Sequence, residues 1–214
     1  MKTIISASLL SADFSDLGRE CDRAAAAGCD WLHFDIMDGM FVPSISFGGP
    51  VLRSVAKISR IPVDVHMMTV EPVRYIRRYA ELGASRITIH AESTDRLADT
   101  LEGIKLCGIK AGVAIKPDTP VADIEKFIPL VDMVLIMTVE PGFGGQEFMP
   151  RTLEKIRLVR FIAEHQGIDL NIQVDGGINA ETAPLVREAG ANVLVSGSYL
   201  FGAGDMSAAV ASLR

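Results

Sequence analysis

One punctuation mark recurs along the 214 residues: a glycine closes an amphipathic stretch and a short apolar run follows at once. It occurs in AAAG-CDWLHF, AELG-ASRITIH, IKLCG-IKAGVAI, EHQG-IDLNIQV and REAG-ANVLVSG. Glycine adopts the left-handed conformation that ends a helix at no steric cost, so each instance reads as helix, glycine cap, strand. The glycines are Gly28, Gly83, Gly108, Gly167 and Gly190, spaced 55, 25, 59 and 23 residues apart. Each long gap is about twice a short one and so hides one further boundary, near Arg60 and near Val131. There IPVDVHM and VDMVLIM read as strands that lack the glycine.

With the opening run IISASL the pattern predicts eight strands, at about 3–8, 30–36, 61–67, 85–90, 110–115, 132–137, 170–174 and 192–196. Helical patterns lie between them, such as 150–165 and 71–82, the latter with Pro72 near its first turn. Strands alternating with helices pair in parallel, and eight units of about 27 residues suit a compact (β/α)8 barrel. The rival doubly wound sheet lacks its dinucleotide fingerprint, since LLSADFS rather than a glycine-rich turn follows the first strand. No linker or low-complexity segment interrupts the pattern, so residues 1–214 read as one barrel domain.

Composition narrows the function classes. A 49% hydrophobic content supplies a core, yet no apolar run approaches the roughly 18 residues that span a bilayer. The N-terminal IISASLL, interrupted by serines and followed by FSD, makes a poor signal peptide. Lys and Arg number 21 against 27 Asp and Glu, a net charge of −6 with no basic run, which argues against nucleic acid as a partner. Three cysteines, Cys21, Cys29 and Cys107, form no C-x-x-C pair and suit a reducing cytoplasm.

The C-terminal strand ends of a parallel barrel face its active site, so polar residues there carry the information. His33 and Asp35 stand two apart in the second strand and point to one side, as do Asp64 and His66 in the third, Gln173 and Asp175 in the seventh, and Ser6 and Ser8 in the first. His33, Asp35, His66 and Asp175 form a two-imidazole, two-carboxylate set that suits Zn²⁺ and equally Fe²⁺, Mn²⁺ or Co²⁺. His90, ending the fourth strand, reads as a polar rim residue, and His165 as exposed on a helix. The glycine-rich turns TVEPGFGGQ, DGGIN and SGSYLFG follow strands six, seven and eight. Those after strands seven and eight occupy the usual phosphate position of such barrels, and none of the three contains Lys or Arg, so backbone N–H groups would hold the anion.

Read in order, ISASLLSADF, HFDIMDGMFVPSISFG, DVHMM, VAIKPDTP, MTVEPGFGGQEF, VDGGIN and SGSYLFG resemble the ribulose-phosphate 3-epimerases over nearly the whole chain. The resemblance implies a (β/α)8 TIM barrel of the ribulose-phosphate-binding type that interconverts D-ribulose 5-phosphate and D-xylulose 5-phosphate in the pentose phosphate pathway. It implies one divalent metal ion, zinc first, held by His33, Asp35, His66 and Asp175, with Asp35 and Asp175 doubling as the proton-transfer pair. Ser8, His66, Gly142, Phe143, Gly144, Gly145, Gly176, Gly177, Gly197 and Ser198 resemble the contacts to substrate and phosphate. Met37, Met68 and Met137 match the methionines that line the family's pocket. A cytoplasmic homo-oligomer follows as an expectation. The chain departs from the family at Met40 and Ser44, where histidine and asparagine are usual, outside the metal and proton-transfer set.

Four other readings compete. Epimerisation of a six-carbon ketose phosphate such as D-allulose 6-phosphate uses the same chemistry. A lyase of the related decarboxylase type would want a D-x-K-x-x-D strand, whereas strand three reads Asp64, Val65, His66. A Schiff-base aldolase would have to use Lys116, which Pro117 follows directly. A non-catalytic barrel leaves four convergent metal-type side chains unexplained.

Overall fold

The computed structural model describes residues 2–214. Eight parallel strands close into a barrel in chain order: β1 Ile4–Ser8, β2 Trp31–Met37, β3 Val63–Met68, β4 Arg86–His90, β5 Lys110–Ile115, β6 Met133–Met137, β7 Asn171–Asp175 and β8 Val193–Ser196. β8 returns to β1 through pairs such as Ser6 with Val195, so no strand edge is left open. All eight predicted strands form, each end within about two residues of its expected place.

The helices around the barrel are α1 Leu17–Ala26, α2 Gly49–Ile58, α3 Ile76–Glu81, α4 Leu97–Leu106, α5 Leu153–His165, α6 Thr182–Glu188, α7 Ser198–Phe201 and α8 Met206–Ser212. All five predicted cap glycines have positive φ, from 67° at Gly167 to 110° at Gly190. At Gly28 the amide of the next residue, Cys29, reaches back to the carbonyl of Ala24, which satisfies the helix end and turns the chain into β2. The two boundaries without glycine use other devices. α2 ends at an extended Ser59 whose hydroxyl donates to the Ile61 carbonyl. Between β5 and β6 only 3₁₀ turns form, Val121–Asp123 and Glu125–Leu130, the second containing Pro129, which cannot donate to a helix.

Alternation along the strands sorts the side chains. Ile5, Ala7, Leu32, Phe34, Val65, Met67, Ile87 and Ile89 face the helices within one large apolar cluster. The alternate, inward positions carry Ser6, Ser8, His33, Asp35, Asp64, His66, Thr88, His90 and Gln173, all buried. Trp31, Met133 and Val193 plug the N-terminal mouth, and the Arg86 guanidinium lies 3.4 Å over the Trp31 ring. Most of the apolar stabilisation thus comes from the barrel–helix layer, which leaves the interior free to hold polar groups.

Candidate active site

The polar side chains of β2, β3 and β7 meet near the C-terminal mouth. The β2–β3 register sets Asp35 beside His66 and His33 beside Asp64. Nδ1 of His66 lies 3.1 Å from Oδ1 of Asp35 and 3.6 Å from Oδ2 of Asp175. Nε2 of His33 lies 3.3 and 3.6 Å from the same two carboxylates, and 3.4 Å from Nδ1 of His66. One donor atom from each of the four residues falls within 4.8 Å of the others. The imidazoles are fully buried, whereas the Asp175 side chain keeps 19% of its surface exposed and faces the mouth.

Two buried groups behind the ring fix how it presents itself. Oδ2 of Asp64 lies 2.9 Å from Nδ1 of His33 and also accepts from the Gln173 amide at 2.6 Å. Nδ1 of His33 therefore carries hydrogen and donates it to Asp64. Burial disfavours the charged His33 ring, but the Asp35 charge and hydrogen bonds to Asp175, Asp35 and Asp64 outweigh it and raise its pKa well above the ordinary value. Burial likewise pushes Asp35 up, while the charge and hydrogen bond of His33 and the neighbouring His66 ring hold it well below the usual carboxylate range. Ser8 donates its hydroxyl to Oδ2 of Asp35 at 2.8 Å, and Ser46 ties the Asp35 carbonyl to the loop that follows β2.

Above the ring opens a cleft of about 580 Å³. Ser8, Asp35, Met37, Met68, Met137 and Asp175 line its floor, and Gly142, Phe143, Gly144, Gly145, Gly176, Gly177, Gly197 and Ser198 line its wall. His33 and His66 lie beneath the floor. No Lys or Arg lines the cleft, while Asp35, Glu140, Glu147, Asp175 and Glu181 do. The wall is held by short backbone ties: the Thr138 hydroxyl donates to the Gly176 carbonyl, and the Gln146 amide closes its own turn onto the carbonyls of Glu140 and Phe143. Close packing makes glycine obligatory at Gly177, where φ is +67° and a Cβ would stand 2.5 Å from the Phe148 amide nitrogen.

A model of the ribulose-phosphate 3 epimerase family matches residues 4–201. The chain belongs to the ribulose-phosphate 3-epimerase family. It is 47% identical over 211 residues to the ribulose-phosphate 3-epimerase of Bacillus subtilis, an alignment covering 98% of this chain and 97% of the relative. To the Mycobacterium leprae enzyme of that name it is 45% identical over 214 residues, covering 100% and 95%. Membership in this epimerase family makes the chain an isomerase. Among solved structures the fold is similar to 3-keto-L-gulonate-6-phosphate decarboxylase from Vibrio cholerae, with a TM-score of 0.73, 16% identity and coverage of 100% and 96%. It is also similar to a 3-hexulose-6-phosphate synthase, at 0.72, 19%, 100% and 98%. At those identities the likeness concerns the barrel alone.

Two side chains, His90 and Ser11, take places that the sequence did not give them, and two more fall where the strand pattern puts them. His90 is not a rim residue: it is fully buried, with Nε2 2.9 Å from Nε2 of His66. Asp64 and Gln173 were visible as in-phase polar partners of His66 and Asp175, and their strand positions alone put them one layer below the ring. The Ser11 hydroxyl lies where a Cβ on Gly197 would fall, between two glycine turns, and no sequence signal marked it. Lys116 stands outside the cleft, with Nζ 4.1 Å over the Phe41 ring, and His165 is exposed at the end of α5. Among the described residues no helix is long and apolar enough to cross a membrane.

Proposed function

We propose that this epimerase interconverts D-ribulose 5-phosphate and D-xylulose 5-phosphate, with Asp35 and Asp175 moving the C3 proton beside a divalent cation held by His33, Asp35, His66 and Asp175. The observation that carries the reading is that two carboxylates from β2 and β7 reach the same pair of imidazole nitrogens on a cleft floor. Inverting a carbon beside a ketone requires one group to take a proton from one face and another to return one to the opposite face. A single base would tend to restore the starting configuration. Each such transfer is worth about 10²–10⁴-fold.

The donor set fits a divalent cation: two imidazole nitrogens and two carboxylate oxygens converge within 4.8 Å of one another, with the outer nitrogen of His33 already committed to Asp64. When bound, the cation supplies Lewis-acid stabilisation of the negative charge that proton removal leaves on the ketose oxygens. Zinc heads the candidates, and iron, manganese or cobalt suits the same donors.

The remaining work belongs to the chain. Ser8 holds Asp35 by its outer oxygen, which aims the carboxylate at the cleft. Met37, Met68 and Met137 cover the floor with apolar, polarisable surface and exclude water from the reacting carbon. The turns at 142–145, 176–177 and 197–198 offer backbone N–H groups to a phosphate on a wall without basic side chains. An anion gripped there fixes C3 between the two carboxylates.

The test is proton exchange in heavy water with ribulose 5-phosphate and, separately, allulose 6-phosphate. Deuterium should enter C3 of the pentulose as xylulose 5-phosphate forms, and much more slowly for the hexulose. Exchange without epimerisation, or faster exchange on the hexulose, would refute the assignment.

A further inference from the structure

Behind His66, on the side away from the cleft, runs a chain of side chains that the proton-transfer chemistry does not use. Nε2 of His66 meets Nε2 of His90 at 2.9 Å, and Nδ1 of His90 meets Oε2 of Glu92 at 3.1 Å. The other carboxylate oxygen of Glu92 accepts from the Lys116 backbone amide at 2.8 Å and from the Thr119 hydroxyl. His66 and His90 are fully buried, their rings stacked with centroids 5.1 Å apart, and Phe41 covers the outer face of His90. Glu92 lies where β4 ends and its side chain keeps 22% of its surface exposed.

Hydrogen-bond polarity runs one way along this chain. A backbone amide can only donate, so the Glu92 oxygen facing Lys116 is an acceptor, and the carboxylate offers lone pairs at its other end as well. Nδ1 of His90 must then carry hydrogen, which leaves Nε2 of His90 bare. That nitrogen can only accept, so Nε2 of His66 carries hydrogen, and Nδ1 of His66 is free to present its lone pair to the centre of the ring.

We propose that His90 and Glu92 are positioning residues that fix the tautomer and orientation of His66, so that its Nδ1 is held as a ready ligand for the divalent cation. His33 receives the same service directly from Asp64, whereas His66 receives it through an intervening imidazole. The two ligand histidines thus face the cation site with opposite ring nitrogens, Nε2 of His33 and Nδ1 of His66, each set by a buried or half-buried carboxylate at its far end. Such outer partners typically govern metal affinity by 10–100-fold. The inference rests on the metal reading proposed above.

Glu92→Gln tests it without removing a side chain. The glutamine carbonyl keeps the bonds from Lys116 and Thr119, but its amide now donates to Nδ1 of His90, which reverses every proton along the chain and puts hydrogen on Nδ1 of His66. Two measurements follow. In the metal-free protein, long-range ¹H–¹⁵N NMR should show His90 as the Nδ1–H tautomer, and as Nε2–H in Glu92→Gln. Competition against a fluorescent zinc chelator should show zinc bound at least about tenfold more weakly by the variant, with the melting temperature of the metal-free protein unchanged. An unaltered His90 tautomer in the variant, or zinc affinity equal to that of the parent chain, overturns the proposal. If the parent chain itself binds no zinc, iron, manganese or cobalt, the metal reading falls, and the NMR comparison alone upholds or overturns the control of His90 by Glu92.

Discussion

Asp64 and His33 form a fully buried pair, Oδ2 to Nδ1 at 2.9 Å, one layer below the ring of candidate ligands. Burial raises the Asp64 carboxyl, but the hydrogen bond and charge of His33 reverse this and hold it low. Asp64→Asn can turn an N–H towards Nδ1 and force the hydrogen onto Nε2, where it would point at Asp35 and Asp175. We expect the variant to lose about 10–100-fold in zinc affinity, measured by chelator competition, with the barrel still folded by circular dichroism. Full affinity in Asp64→Asn would show that His33 does not depend on this carboxylate.

Asp35→Asn and Asp175→Asn should each lower kcat by about 10²–10⁴-fold. The two should differ in one respect. Asp35 is almost wholly buried and accepts from the Ser8 hydroxyl, with His66 Nδ1 3.1 Å from its Oδ1, so its replacement should also lower the melting temperature, whereas the part-exposed Asp175 should be replaced with little effect on folding. Retention of more than about a tenth of activity by either variant, outside the range for a lost proton-transfer group, would dismiss the two-base scheme.

Removal of divalent ions by a strong chelator should abolish turnover, and adding back zinc, iron, manganese or cobalt should restore it to differing degrees. The four donor atoms lie within 4.8 Å of one another and face inward. Activity that survives exhaustive chelation, with metal content verified by mass spectrometry, would remove the cation from the scheme.

The strands and the ring were legible in the sequence for the same physical reason. A cap glycine has to mark a turn from helix to strand, and a strand residue that faces a closed interior has to recur every second position. His33 with Asp35 and Asp64 with His66 therefore show their layer without any tertiary information. His90 and Glu92 were not legible as a unit. Their partners, His66, Lys116 and Thr119, come from other strands and loops, and only closure of the barrel brings them together. The β5–β6 connection escaped for a local reason, because Pro117, Pro120 and Pro129 replace the expected helix with 3₁₀ turns.

Gly177 and Gly167 share a φ of +67° but differ in surroundings: a Cβ on Gly177 would strike the Phe148 backbone, while one on Gly167 would meet nothing within 4 Å. Gly167→Ala should cost only the left-handed penalty of about 1–2 kcal/mol. Gly177→Ala should cost more in stability and, on the proposed phosphate grip, also raise KM for the phosphorylated ketose at least about tenfold, since the 176–177 turn must shift. Equal losses of stability and unchanged KM in the two variants would show that the 176–177 turn takes no part in binding.

Asp30, at the start of β2, ties both chain ends to the N-terminal mouth of the barrel. Its carboxylate accepts from the Ile5 amide at 3.0 Å, Lys2 at 3.0 Å and Arg214 at 2.7 Å. Burial would raise the carboxyl, but those three partners together hold it below its ordinary value. A depressed pKa means that the folded state prefers the ionised form. The stabilisation is therefore complete above the unfolded value of about 3.9 and is lost as pH falls through the lower folded value. Discounted for solvent screening, Asp30→Asn should cost about 1 kcal/mol at neutral pH, or roughly 2–4 °C in melting temperature for a chain of this size. The gap between variant and parent should stay level from pH 8 to 5 and close below about pH 4. A gap that persists undiminished at the acid end would assign the effect to packing rather than to the carboxylate charge.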